Sequence, residues 1–381
     1  MAVQILDSTL REGEQTRGVV FRPEDKLAIA RQLDAFGAGY IEAGHPAVSR
    51  RVAESVRAIA HLGLEADVVA HARAMRADID AALACDVDWV GIFFSVADKR
   101  LEQQFRKNEE QAIALVTDVV AYAKDHGLQV RYTPEDTVRS DFGRVVRVAR
   151  AAVEAGADRI SVADTTGVMV PWRMRDFVAA LTLEVGPRVH AHCHNDLGLG
   201  VANALAAVEG GAIVVDACVN GLGERAGIAD TATLATALTL TRSDAPPWDL
   251  ASLPGLAELV GRASSIPVPH LAPITGRNAF SHNAGLHVAA VLQDPRHYES
   301  IPAALVGRER YIVVDAFSGK DAVRHRLEQI GARPSLEEVE RVLGLVKERG
   351  LNDVADGDLA LLLLEVQRGP LAPLAAPEVA R

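Results

Sequence analysis

Short β-branched runs recur along the chain, each arriving directly after a Gly-Ala or Gly-x turn, with longer amphipathic stretches between them. Phe36-Gly37-Ala38-Gly39-Tyr40-Ile41-Glu42-Ala43-Gly44 is echoed by Glu154-Ala155-Gly156-Ala157-Asp158-Arg159-Ile160-Ser161-Val162-Ala163-Asp164. It returns again as Glu209-Gly210-Gly211-Ala212-Ile213-Val214-Val215-Asp216. Glycine ends a helix because it enters the left-handed cap without strain, and the next strand then starts at once.

These runs predict eight strands, Val3–Asp7, Tyr40–Gly44, Ala66–His71, Trp89–Phe94, Gln129–Thr133, Arg159–Ala163, Arg188–His192 and Ile213–Val219, with helical patterns in every gap. Pro23 to Phe36 is the clearest helix: proline lies near its first turn, Leu27, Ala30 and Leu33 share a face, and Gly37 follows. Such alternation predicts an α/β fold, a (β/α)₈ TIM barrel with a C-terminal mixed and helical extension. A doubly wound dinucleotide fold would want Gly-x-Gly-x-x-Gly after the first strand, where Ser8-Thr9-Leu10-Arg11-Glu12 stands. Ser243-Asp244-Ala245-Pro246-Pro247-Trp248 reads as the exit from the barrel, dividing a catalytic domain (1–245) from C-terminal subdomains (246–381). In the extension, Ser335 and Glu338 have the spacing of a capping box, and the Gly/Pro/Ala-rich tail from Gly369 is expected to fray.

Composition narrows the function. The 381 residues are 49% hydrophobic and 24% charged, with no apolar run of membrane-spanning length and no basic-then-apolar leader at the start. Three cysteines make no disulfide framework, so a reducing, cytoplasmic location is expected. A net charge of −11 without a basic stripe argues against a nucleic-acid partner, and it leaves small anionic substrates open.

The polar residues gather where barrel enzymes keep their chemistry, at the C-terminal ends of the strands. Strand one runs into Arg11 and Glu12, strand two into His45, and strand three ends on His71. Strand five carries Arg131, Thr133 and Glu135; Asp164 and Thr165 follow strand six, His192 and His194 close strand seven, and Asn220-Gly221-Leu222-Gly223 follows strand eight. In His192-Cys193-His194, strand alternation sends both imidazoles one way and the thiol the other. Two imidazoles are half of a divalent-metal site, which Glu12 would complete; the plainer alternative is a pair of hydrogen-bonded histidines. Arg11, next to Glu12, is either an oxyanion stabiliser or one half of an ordinary surface ion pair. Arg131, with Thr133, could grip a carboxylate and leave Glu135 as an acid/base group; the alternative is an internal Arg131–Glu135 pair. A guanidinium buried there without an anion would be costly, so the acceptor is expected to carry a second acidic group.

Asp7-Ser8-Thr9-Leu10-Arg11-Glu12-Gly13-Glu14-Gln15, His192-Cys193-His194-Asn195-Asp196 and Asn220-Gly221-Leu222-Gly223-Glu224-Arg225 together resemble the Claisen-condensing family of homocitrate, isopropylmalate and citramalate synthases. The likeness covers nearly the whole chain, and Arg131-Tyr132-Thr133-Pro134-Glu135-Asp136 resembles the homocitrate branch most. It implies condensation of acetyl-CoA with a diacidic 2-oxo acid, 2-oxoglutarate above others, in a homodimer of a lysine-biosynthetic type. It also implies one divalent ion (Zn, Mn or Mg) on Glu12, His192 and His194, and 2-oxo acid contacts from Arg11, His71, Arg131, Thr133 and Thr165. Arg11 and Glu135 would serve catalysis, joined by His287 and Tyr298 of the extension, which would reach the partner subunit's barrel mouth; the residues alone do not place His282 or His287 in the site.

Two departures from the homocitrate pattern fall near the acceptor pocket: Gly91, where an acidic residue is usual, and the turn Gly44-His45-Pro46-Ala47. They leave open 2-phosphonomethylmalate, isopropylmalate or citramalate synthesis. An acyl-CoA lyase would carry a reactive cysteine in its glycine loop, and Asn220–Ile228 has none. A barrel kept only for binding would not need Glu12, His192 and His194 together.

Overall fold

The computed structural model describes residues 2–369, so the tail expected to fray beyond Gly369 lies outside the described residues. The expected architecture is the observed one. Eight parallel strands close a barrel in chain order: β1 (Gln4–Asp7), β2 (Tyr40–Gly44), β3 (Asp67–Arg73), β4 (Trp89–Ser95), β5 (Gln129–Glu135), β6 (Arg159–Asp164), β7 (Val189–Cys193) and β8 (Val214–Ala217). Closure comes from β1 against β8, with Gln4 opposite Val214 and Asp7 opposite Ala217. Between the strands run α1 (Pro23–Phe36), α2 (Arg50–Ala60), α3 (Arg76–Leu83), α4 (Glu109–Asp125), α5 (Phe142–Glu154), α6 (Pro171–Val185) and α7 (Gly200–Glu209), and α8 (Thr231–Thr241) follows the last.

Helix α1 has the predicted bounds: proline starts it, and Gly37 at φ 98° ends it. Strand β5 runs past the predicted Thr133 to Glu135, because Pro134 and Glu135 stay in register with Phe94 and Ser95 of β4. The extra residues carry Glu135 to the barrel rim.

The compact unit that holds the barrel does not stop at the Ser243–Trp248 turn; the chain divides between Gly276 and Arg277. The reason is packing. Trp248 folds back and stacks on Phe36 with ring centroids 6.4 Å apart, and α9 (Leu253–Ser264) buries Leu253, Leu256 and Val260.

The second unit contains a short parallel pair, β9 (Ser281–His282) with β10 (Tyr311–Ile312), and helices α10 (Gly285–Gln293), α11 (Lys320–Gln329), α12 (Leu336–Glu348) and α13 (Asp356–Arg368). Its core joins Val288, Val323, Leu327, Val339, Val342 and Leu359. The capping box forms as expected: Glu338 N donates to Ser335 Oγ at 3.2 Å, and Ser335 N donates to Glu338 Oε2 at 2.6 Å.

Candidate active site and metal centre

The barrel interior is layered. At its base Arg159 lies 4.2 Å from the ring centroids of both Tyr40 and Trp89, among the buried side chains of Leu6, Val69 and Val214. Above the base is a buried ionic layer of Glu42, Arg131, His190 and Asp216. Above that is the mouth, one cavity lined by Arg11, Glu12, His71, Arg131, Thr133, Glu135, Thr165, His192 and His194. Every barrel residue singled out in the sequence as a ligand, a 2-oxo acid contact or a catalytic group therefore lines a single cavity.

The donor atoms of Glu12, His192 and His194 lie within 4.8 Å of one another. The two imidazoles project from β7 and the residue just after it, 4.9 Å apart by centroid; Cys193 between them faces away and is buried. Asp216 Oδ2 accepts from His192 Nδ1 at 2.8 Å, which fixes that nitrogen as the N–H and leaves Nε2 for a ligand. Burial raises the proton affinity of the Asp216 carboxyl, but His190 and Arg131 overcome this and hold it well below the carboxylate range. His194 is pushed down to about 4, by burial first and then by His192, so it is neutral and able to ligate. Burial works against ionisation of Glu12 too; Arg11 wins and keeps it a carboxylate. An ionised carboxylate and two imidazoles, one of them oriented by a second carboxylate, fit a divalent ion.

The glycine loop after β8 explains its own sequence. Glu224 N donates to Glu12 Oε1 at 3.0 Å, and a β-carbon on Gly223 would stand 3.1 Å from that oxygen. Arg225 then ties the neighbouring loops together, donating to Asp196 Oδ1 at 2.8 Å and to the Thr165 carbonyl at 2.7 Å.

Arg11 and Arg131 both meet Glu42, a fully buried residue that no motif or spacing in the sequence marks. Arg11 Nε donates to Glu42 Oε2 at 2.6 Å, Ser8 Oγ donates to the same oxygen at 2.5 Å, and Arg131 Nη2 donates to Oε1 at 2.7 Å. Arg11 also pairs with Glu12. Burial opposes a charge on Glu42, yet Arg11 and Arg131 keep it ionised. The expectation that Arg131 would lack an anion unless the acceptor supplied one is thus corrected: Glu42 is its counterion, and Asp216 Oδ1 lies 3.5 Å from its Nη1. The alternative Arg131–Glu135 pair is absent as well, because Glu135 at the rim pairs with Arg100.

His71 stacks on Phe93 with centroids 4.6 Å apart, and its Nδ1 lies 3.2 Å from Glu42 Oε1. Burial, aided by Arg11, pushes it down to about 4. Gln15, Phe93, Ser161, Asp216 and Glu224 also line the cavity and were missed in the sequence. Asp216 and Ser161 stand inside quoted strand runs, where inward alternation from a known neighbour could have found them.

In the second unit, His287 on α10 and Tyr298 are both exposed, with ring centroids 4.1 Å apart. His282 faces Glu299 at 3.3 Å, and Glu299 also pairs with Arg310, so His282 has a structural partner.

Carboxylate, imidazole and guanidinium groups converging on the C-terminal mouth of a closed parallel barrel are the build of a (β/α)₈-barrel enzyme. Residues 2–260 match the HMGL-like family, and residues 274–353 match the homocitrate synthase post-HMGL domain-like family. A homocitrate synthase of Pyrococcus horikoshii is 49% identical over 327 residues, 86% of this chain and 90% of that protein. One from Saccharolobus islandicus is 43% identical over 378 residues, covering 97% and 82%. The chain belongs to the HMGL-like family and, within it, to the homocitrate synthase group. Among solved structures, an HMG-CoA lyase from Bacillus subtilis shares the fold, with a TM-score of 0.63 at 22% identity over 73% of this chain and 97% of that one.

Proposed function

We propose that this protein is an acetyl-CoA-dependent acyltransferase that condenses acetyl-CoA with 2-oxoglutarate to homocitrate. The kinship with homocitrate synthases supports the acyl transfer. The observation that carries the site is the Glu12–His192–His194 donor set sharing one cavity with the guanidinium groups of Arg11 and Arg131.

A divalent ion on those three residues supplies Lewis acidity toward a keto group, and two nitrogen ligands favour zinc or manganese over magnesium. Arg131, Thr133, Thr165 and His71 hold and orient the 2-oxo acid. Arg11 faces the oxygen on which negative charge develops. His287, assisted by Glu135 and Tyr298, takes a methyl proton from acetyl-CoA, and the enolate carbon bonds to the keto carbon of the acceptor. Water then cleaves the thioester, releasing coenzyme A and making the step irreversible. His287 and Tyr298 belong to the second unit, the part of residues 246–381 that acts as a lid and dimer contact, so a homodimer completes the site. No helix among the described residues is long and apolar enough to cross a membrane, three buried free cysteines suit a reducing, cytoplasmic location, and the kinship with homocitrate synthases suits a place in lysine biosynthesis.

The test is thiol release from acetyl-CoA against 2-oxoglutarate, phosphonopyruvate, 2-oxoisovalerate and pyruvate. 2-Oxoglutarate should lead. If 2-oxoisovalerate led, the acceptor assignment would fall and condensation would stand; no thiol release with any acceptor would sink both.

A further inference from the structure

Buried polar atoms in folded proteins nearly always have a partner, so the exceptions point to something that arrives later. In the barrel, Arg131 uses Nη2 on Glu42, while its Nε and Nη1 have no hydrogen-bond partner among the described residues. The hydroxyl of Ser161 has none either. Both side chains are more than nine-tenths buried, Arg131 at 3% exposure and Ser161 at 1%, and both line the mouth cavity.

Their placement follows from register. Arg131 of β5 stands opposite Arg159 of β6, so two residues further on Thr133 and Ser161 stand side by side and face inward with them. Across the next seam Ser161 is opposite His190. Ala163, two residues along the same face of β6, shows that a small apolar side chain suits that surface. A hydroxyl buried there without a partner costs free energy that alanine would not. Arg131 meanwhile is shared between Glu42 and Asp216, which weakens it as a lone receptor for a further anion.

We propose that Ser161 is a specificity-determining residue for the acceptor: its hydroxyl and the Arg131 N–H groups that make no protein hydrogen bond together receive the acceptor's distal acidic group. A carboxylate offers two oxygens, one to the guanidinium and one to the hydroxyl, and a neutral donor adds affinity without enlarging the charge of the ionic layer. This rests on the diacidic acceptor proposed above.

Ser161→Ala tests it, with calorimetric binding of 2-oxoglutarate and 2-oxobutyrate to metal-loaded protein alongside steady-state kinetics. Expected is about tenfold weaker binding of 2-oxoglutarate. KM should rise more than kcat falls, and selectivity over 2-oxobutyrate should drop by a similar factor. The melting temperature without acceptor should hold or rise, since no protein hydrogen bond is lost. Equal effects on both acids, no effect on either, or a clear fall in melting temperature would overturn the proposal. If the wild type bound 2-oxoglutarate in a Ser161-dependent way without turning it over, the condensation reading would fail and the subsite would stand. If the wild type turned it over and Ser161→Ala bound it equally well, the subsite alone would fail; no binding by wild type would overturn both.

Discussion

A β-carbon on Gly91 would stand 2.6 Å from Nη2 of Arg131, and the two residues are register partners on β4 and β5. The guanidinium occupies the space a side chain at residue 91 would fill, and from there it reaches Glu42. The absence of a side chain at Gly91 is therefore part of how Arg131 is aimed. Gly91→Ala should force the guanidinium aside and loosen its bond to Glu42, at a cost of roughly 1–3 kcal/mol in stability. Denaturant midpoints and the KM for 2-oxoglutarate would show it, as a lower midpoint and a higher KM. An unchanged KM would mean that Arg131 does not hold the acceptor.

Asp216 serves two clients, accepting from His192 Nδ1 and standing beside Arg131. Asp216→Asn should leave the three metal donors in place while weakening metal retention about 10- to 100-fold. His192→Ala should lose bound metal and turnover together. Metal content after dialysis, by emission spectroscopy, separates the two variants, and full activity of either wild type or His192→Ala in excess chelator would end the metal proposal.

His287 and Tyr298 are exposed in the second unit and pack ring against ring. If they move protons, His287→Ala should lower kcat at least a hundredfold and leave binding of the 2-oxo acid nearly untouched, because the metal site and Arg131 belong to the barrel. Calorimetry with 2-oxoglutarate beside turnover would test this. A variant with ordinary kcat would make the ring pair structural.

Acid should destabilise the fold through its buried histidines. Burial pushes His71 and His190 down to about 4, from an unfolded value near 6.5. Between those values the unfolded chain binds more protons, so their contribution is complete above pH 6.5 and is lost as pH falls toward 4. Asp7 runs the other way. Burial raises it to about 6 from 3.8, so its contribution is complete below 3.8 and is lost as pH rises to 6. In metal-free protein, Asp7→Asn should steepen the loss of stability between pH 6 and 4, and His71→Gln should flatten it. Urea midpoints across that range would reveal both, and parallel curves for all three proteins would refute the assignment.

The barrel and its rim are legible in the order of residues alone. Short β-branched runs after glycine turns, with amphipathic stretches between them, mark β1 to β8, because such patterns are local properties that a chain displays without its partners. Strand alternation placed His192 and His194 on one face and Cys193 on the other, and strand ends gathered Arg11, Glu12, Thr133 and Thr165. Pairing across the barrel is set by the closed fold instead. Glu42 meets Arg131 from 89 residues away, and Asp216 meets His192 from 24. Which carboxylate neutralises which guanidinium depends on closure and register, not on neighbours in sequence. That is why the sequence alone leaves Arg131 without its counterion, and why Gly91, a departure from the family pattern, has its reason only in the guanidinium that fills the space beside it. The end of the barrel unit was hidden for the same reason: Ser243–Trp248 has the composition of a linker, and only the stacking of Trp248 on Phe36 folds it back.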